Sequence, residues 1–327
     1  MVKNVGVDVN FLKYGEGRFW GIELKKAVGV ANIFFVLSLL LAFLPGKRTT
    51  DIESGGYLMG LFVFIEGIYL LNLLFKKDEI TKKSAGDITV IVFIVLMFCE
   101  IITTKLDLLP HLLFPVPGKV VAVFISEIPE FGRCLWSSLQ LLAAGYTLAL
   151  IVAIPLALVI GWRKRLFAAA NPITKVLGPI PPIVYIPYAI VILPTFKCSS
   201  IFIIFVGAFW PIFINTLNGT FNIEKQIIDS AKVLNVKEKT MLFEIILPGI
   251  MPSVISGATL GLVFSFILLT AAEMIGASSG LGWYVKYFSD FADYPRVLAG
   301  IIFIGIVVTV ITYFFELIEK RLLRWRN

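Results

Sequence analysis

Apolar residues run almost unbroken through eight stretches of the chain, at residues 27–45, 55–75, 88–102, 135–161, 176–193, 199–217, 250–272 and 297–317. A helix that crosses about 30 Å of hydrocarbon at about 1.5 Å per residue needs about 20 mostly apolar residues. The pattern therefore predicts an all-α, polytopic membrane protein with about eight transmembrane helices. The fifth stretch is broken by Pro179, Pro181, Pro182 and Pro187, which a span tolerates where neighbours satisfy the freed carbonyls. Ahead of the fourth stretch, Val120, Val121, Phe124, Ile125 and Ile128 recur on one helical face. That spacing predicts either a helix lying flat on the outer leaflet or a buried connector.

Composition agrees with the pattern. Of 327 residues 58% are hydrophobic and 16% charged, and the mean hydropathy is +0.91, too little polar surface to coat a soluble globule of this size. Counted on alternate sides of the eight stretches, Lys and Arg divide 21 to 8. The richer side is predicted to be cytoplasmic, with both termini on it. That sidedness accounts for the net charge of +7 through anionic lipid rather than nucleic acid, and the tail Lys320, Arg321, Arg324 and Arg326 is predicted to anchor a helix end. The first 26 residues are polar, so no cleaved signal peptide is expected. Cys99, Cys134, Cys198 and the single His111 stand at no ligand spacing. No disulfide framework, metal site or other cofactor is expected.

The cytoplasmic loop 218–249 differs from the other connectors on its side: it is long, and its four lysines are balanced by four acids. Ile227, Ile228, Ala231 and Leu234 recur at helical spacing. Asn235 follows, where a helix ends in the left-handed conformation that Gly or Asn accepts. A second amphipathic turn, 241–246, runs into Pro248, which suits a helix start. The prediction is a short helix, a sharp turn and a second helix, presenting a small apolar face (Ile227, Ala231, Leu234) to a cytosolic partner.

These residues carry a resemblance. Asp229-Ser230-Ala231, three residues, Asn235, nine residues, then Ile245-x-Leu247-Pro248 is similar to the E-A-A-x3-G-x9-I-x-L-P motif of the permease subunits of ABC-type importers. The departures keep the charge (Asp for Glu), the small size (Ser for Ala) and the left-handed tolerance (Asn for Gly). LWSSLQLLAAGYTLALIVAIPLALVIG at 135–161, Gly178-Pro-Ile-Pro-Pro-Ile183 and Ala272-Glu-Met-Ile-Gly-Ala-Ser-Ser-Gly-Leu-Gly282 resemble the branch that serves nitrate, sulfonate, taurine, bicarbonate and some vitamin precursors. The likeness runs from about Leu112 to the C-terminus.

The resemblance implies a type I ABC importer permease core of five helices at 135–327. Ahead of it would stand a three-helix extension at 1–104 and the outer amphipathic segment at 105–134. It implies ATPase coupling through Asp229, Ser230, Ala231, Leu234, Asn235, Ile245, Leu247 and Pro248. The implied partners are two copies of a cytosolic ATPase, an extracytoplasmic solute-binding protein and a second permease chain, in the cell membrane of a prokaryote. The chain has no G-x-x-x-x-G-K-[ST], so ATP hydrolysis would belong to another polypeptide. It is expected not to be an enzyme.

Polar groups within spans are costly and ask for a partner or a role. Glu273, with Gly280 and Gly282 in the glycine- and serine-rich stretch after it, resembles the outer gate segment of the family; the equally open alternative is a carboxylate capping a short re-entrant helix. Tyr188, Trp210, Asn215 and Ser265 are candidates for a substrate path, each set against an interhelical hydrogen bond. Glu66 and Glu100 read either as a proton relay or as carboxylates holding the first three helices together. The relay, joined with Glu273, would make the chain a proton-coupled secondary transporter. Such carriers are commonly built from repeated halves with matching broken helices, and the proline-broken stretch has no counterpart among the first four.

Overall fold

The structure, a computed structural model, describes residues 16–48, 52–75 and 78–323, with side-chain surroundings from Gly29 onward except at Ile52 and Glu53. The first fifteen residues and the tail positions Arg324 and Arg326 lie outside the described residues. All regular secondary structure among the described residues is helical. The chain divides into two units, Met1–Ser126 and Glu127–Asn327.

Unit 1 comprises α1 (Glu16–Phe43), α2 (Ile52–Phe75), α3 (Glu79–Glu100) with a π-helical turn at Ile101–Lys105, and α4 (Pro117–Ser126). Its centre is aromatic: Leu58, Phe62 and Phe93 are buried, with Phe35 and Phe62 each 6.0 Å from the Phe93 ring. Outward positions such as Leu40, Phe64, Ile91 and Val95 are exposed and apolar, as a lipid-facing surface requires. α3 begins at a true cap, because Asp78 accepts from the Thr81 hydroxyl at 2.7 Å and from its backbone N–H. The Thr81 hydroxyl bond leads in holding the Asp78 carboxyl below its usual range. The predicted amphipathic segment forms α4, whose Gly118 and Val120 are buried and which packs against α2.

Unit 2 is built on α5 (Ile128–Trp162), α8 (Phe196–Phe221) and α12 (Met251–Gly276), with α8 packed between the other two. The α5–α8 approach is close enough that a Cβ on Gly145 would fall 2.7 Å from the Ile204 Cβ, a contact only glycine permits. Between α5 and α8 lie α6 (Lys164–Leu177), a 3-10 turn (Pro182–Tyr185) and α7 (Ile186–Ile192); after α8 come α9 (Lys225–Val233), α10 (Glu238–Thr240), a π-turn (Met241–Ile246) and α11 (Leu247–Gly249). α13 (Leu281–Asp290) and α14 (Tyr294–Leu322) follow α12.

Six helices among the described residues are long and apolar enough to cross a membrane, or seven if a bent pair counts as one span. The first of the eight predicted stretches belongs to α1, a helix of 28 residues. One stretch reads differently in the structure. The fifth is not one helix: α6 and Pro182–Ile192 meet at 78°. Pro181 stands extended at φ −63°, ψ 120°, and proline pushes the residue before it out of the helical region, so the run 179–182 ends α6. Phe167 of α6 stacks on Phe221 at the end of α8, with centroids 3.7 Å apart and planes within 4°.

Candidate functional site

Three places in unit 2 hold the residues singled out by sequence. The first is the loop after α8. α9 ends as the spacing predicted, with Asn235 at φ 52° and its N–H bonded to the Lys232 carbonyl at 2.9 Å. Ala231, 4% exposed, belongs to an apolar cluster with Leu158 of α5 and Met241, Leu242, Ile246, Ile250 and Val254. The predicted outward face is therefore corrected. Ala231 anchors α9 to the rest of unit 2, while Val233 and Leu234, 85% and 77% exposed, project from the end of the helix, and Ile227 lies between these extremes. Asp229 is exposed; Ser230 is exposed too, and its hydroxyl donates to the Gln226 carbonyl. Ile245 and Leu247 are half-buried beside the cluster, and Pro248 sits at the start of α11. A tie that sequence reasoning missed, Arg163 to Glu238 at 3.3 Å, joins the start of α6 to this element. No local pattern marks a pair so distant in sequence.

The second place is the end of α12. Glu273 is 1% exposed. One carboxylate oxygen accepts from the Ser138 hydroxyl at 2.6 Å and the other from the Gly282 N–H at 2.7 Å. Ser138 in turn accepts from the Leu281 N–H at 2.9 Å. Leu281 and Gly282 open α13, so Glu273 and Ser138 satisfy N–H groups that a helix start leaves free, and the carboxylate faces the positive end of the helix dipole. This is the geometry of a cap. Gly280 has φ +133°, and a Cβ there would fall 2.4 Å from the Glu273 carboxylate, which accounts for glycine at that position. Ser138 escaped the sequence reading, although the adjacent polar pair Ser137-Ser138 inside an apolar run was a usable signal. Nearby, Tyr284 is buried against Phe131, and its phenol is pushed above its usual range by that burial.

The third is an open cavity of about 620 Å³ between α7 and α8. Its lining includes Tyr185, Tyr188, Phe202, Phe205, Phe209 and Trp210, with no charged side chain. Tyr188 and Trp210 are thus brought together. Asn215 and Ser265 are not: Asn215 donates to the Pro211 carbonyl at 2.8 Å, and fully buried Ser265 donates to the Gly261 carbonyl at 2.8 Å. Both bonds return to the residue's own helix, so neither is the interhelical bond that sequence offered as their alternative role.

Residues 145–324 match the family described as the binding-protein-dependent transport system inner membrane component. The chain belongs to this family. It is accordingly the membrane-embedded permease of an ABC importer, a transport component that works with an ATPase and a binding protein. The matched residues lie wholly within unit 2. Similar permeases include a putative ABC transporter permease of Methanocaldococcus jannaschii, 32% identical over 58% of this chain and 72% of the relative. A putative aliphatic sulfonates transport permease of Bacillus subtilis is 31% identical over 65% and 78%. A nitrate import permease of Synechocystis is 30% identical over 58% and 69%.

Proposed function

We propose that the element from α9 to Pro248 is the surface on which the cytosolic ATPase docks. The observation that carries this reading is the contrast within α9: Ala231 buried and fixed, Val233 and Leu234 bare at the helix end. A small desolvated patch ringed by polar groups concentrates binding energy, and Asp229 and Lys232, both exposed, supply polar groups beside it. In the proposed assembly two permease chains form the path, two ATPases hold the two elements, and an extracytoplasmic binding protein delivers solute. ATP hydrolysis belongs to the ATPase alone.

The cavity lined by Tyr188 and Trp210 is proposed as part of the path, and the capped segment Glu273–Gly282 as its outer gate. The solute is a small one, a small anion such as nitrate, sulfonate, taurine or bicarbonate, or a vitamin precursor. A wall without fixed charge holds no ion tightly, and passage needs weak binding. Selection would then rest with the binding protein. Both termini are placed in the cytoplasm of a prokaryotic cell.

Sidedness tests the scheme. In a background lacking the three native cysteines, Asp290→Cys should react with an impermeant maleimide added to intact cells, and Lys237→Cys only after lysis. External labelling of Lys237→Cys would invert the topology and remove the docking proposal with it.

A further inference from the structure

Unit 1 lies outside the residues that match the family, yet it holds a cavity of about 360 Å³ where α1 turns toward α2. Its walls include Phe43, Leu44, Leu58 and Met59, its charged groups are Glu100 and Lys105, and Ser54 also lines it. That volume is room for about a dozen water-sized groups.

Glu100 ends α3 and Lys105 ends the π-turn that follows it. Such local widenings of a helix recur at functional sites. The two side chains pair at 3.7 Å, with 4% and 13% of their surfaces exposed. Lys105 also donates to the Leu44 carbonyl. The second Glu100 oxygen, Oε2, is buried and has no hydrogen-bond partner among the described residues. A buried acceptor left unmade costs its full desolvation, so the Glu100 carboxylate, which lines the cavity, calls for a further donor. Lys105 has three donors, and its contacts with Leu44 and Glu100 leave one for an incoming acceptor.

The charge balance narrows the class of molecule. Glu100 and Lys105 together are neutral. A simple cation or anion would leave one net charge unpaired in a nearly buried site, which is strongly unfavourable. A molecule that carries both an ammonium and an acid group leaves none. We infer that unit 1 binds a small zwitterion in this cavity, its ammonium on the Glu100 carboxylate and its acid group toward Lys105. The site is a property of this chain's added helices and needs neither the ATPase nor a particular sidedness.

The test uses the full chain in lipid nanodiscs, with β-alanine as the zwitterion and its two halves, ethylamine and propionate, as comparisons. Calorimetry is expected to give one saturable β-alanine site per chain, with each half at least tenfold weaker. Glu100→Gln and Lys105→Met should each weaken β-alanine at least tenfold. Gly55→Leu serves as the block: Gly55 lines the cavity within α2, and a Cβ there meets nothing within 4 Å. It should abolish binding while the chain melts at the wild-type temperature, which separates loss of the site from loss of the fold. Tyr188→Ala, on the proposed path, should leave binding unchanged. Absence of saturable binding, equal binding of ethylamine or propionate, or full binding by Gly55→Leu would each overturn the assignment.

Discussion

Replacing Val233 and Leu234 together by serine removes the two most exposed apolar side chains at the end of α9. Full burial of a side chain of this kind contributes about 1.5–3 kcal/mol. At 85% and 77% exposure nearly all of that remains to be gained on docking, roughly 2–5 kcal/mol for the pair. Coverage of half the surface still leaves about 1–2.5 kcal/mol, a change of about five- to seventyfold in affinity. The fold should hardly notice, because exposed substitutions away from caps and cores usually stay within about 0.5 kcal/mol. Ala231→Glu is the opposite perturbation. It forces a charge among Leu158, Met241, Leu242 and Ile246, costs several kcal/mol, and should loosen the whole element. The assay pairs capture of the cognate ATPase by purified chain with thermal unfolding in the same detergent. Val233→Ser/Leu234→Ser should lose ATPase at an unchanged melting temperature, Ala231→Glu should lower both, and Lys237→Ala should change neither. A double variant that melts normally and captures ATPase as wild type does would refute the docking surface.

Two further perturbations probe the scaffold. Glu273→Gln offers one acceptor oxygen where two donors, Ser138 and Gly282, now converge, so it should cost about 1.5–3 kcal/mol; hydrogen exchange over 277–290 should quicken by roughly ten- to a hundredfold with α8 unaffected, and uniform exchange across the chain would count against the cap. Gly145→Leu drives side-chain atoms into Ile204 and the Ile201 carbonyl and should destabilise the chain by at least about 1–3 kcal/mol; an unchanged melting temperature would show that α5 and α8 are not so closely packed.

The long helices and the turn at Asn235 were legible because they depend on local rules: apolar run length, and the few residues that accept positive φ. The bend between α6 and α7 was half legible, since the prolines marked a break but not its angle. The orientation of α9 was not. Helical spacing puts Ile227, Ala231 and Leu234 on one stripe, but which side of that stripe meets the core depends on Leu158 and Ile246, residues distant in sequence. The cap on α13 was half legible: sequence offered Glu273 as a carboxylate capping a short helix but not Ser138 beside it, because the two meet only when α5 and α12 come together.

The 78° bend gives α6 a mechanical character that a straight span would lack. Its start is tied through Arg163 to Glu238, within the proposed docking element, and Phe167 is stacked on the end of α8, just ahead of α9. Its far end passes through the proline corner into α7, which forms one wall of the aromatic cavity. The two arms have the geometry of a crank. Torque applied at the proposed docking element would reach the other arm as a change of tilt through the short proline elbow.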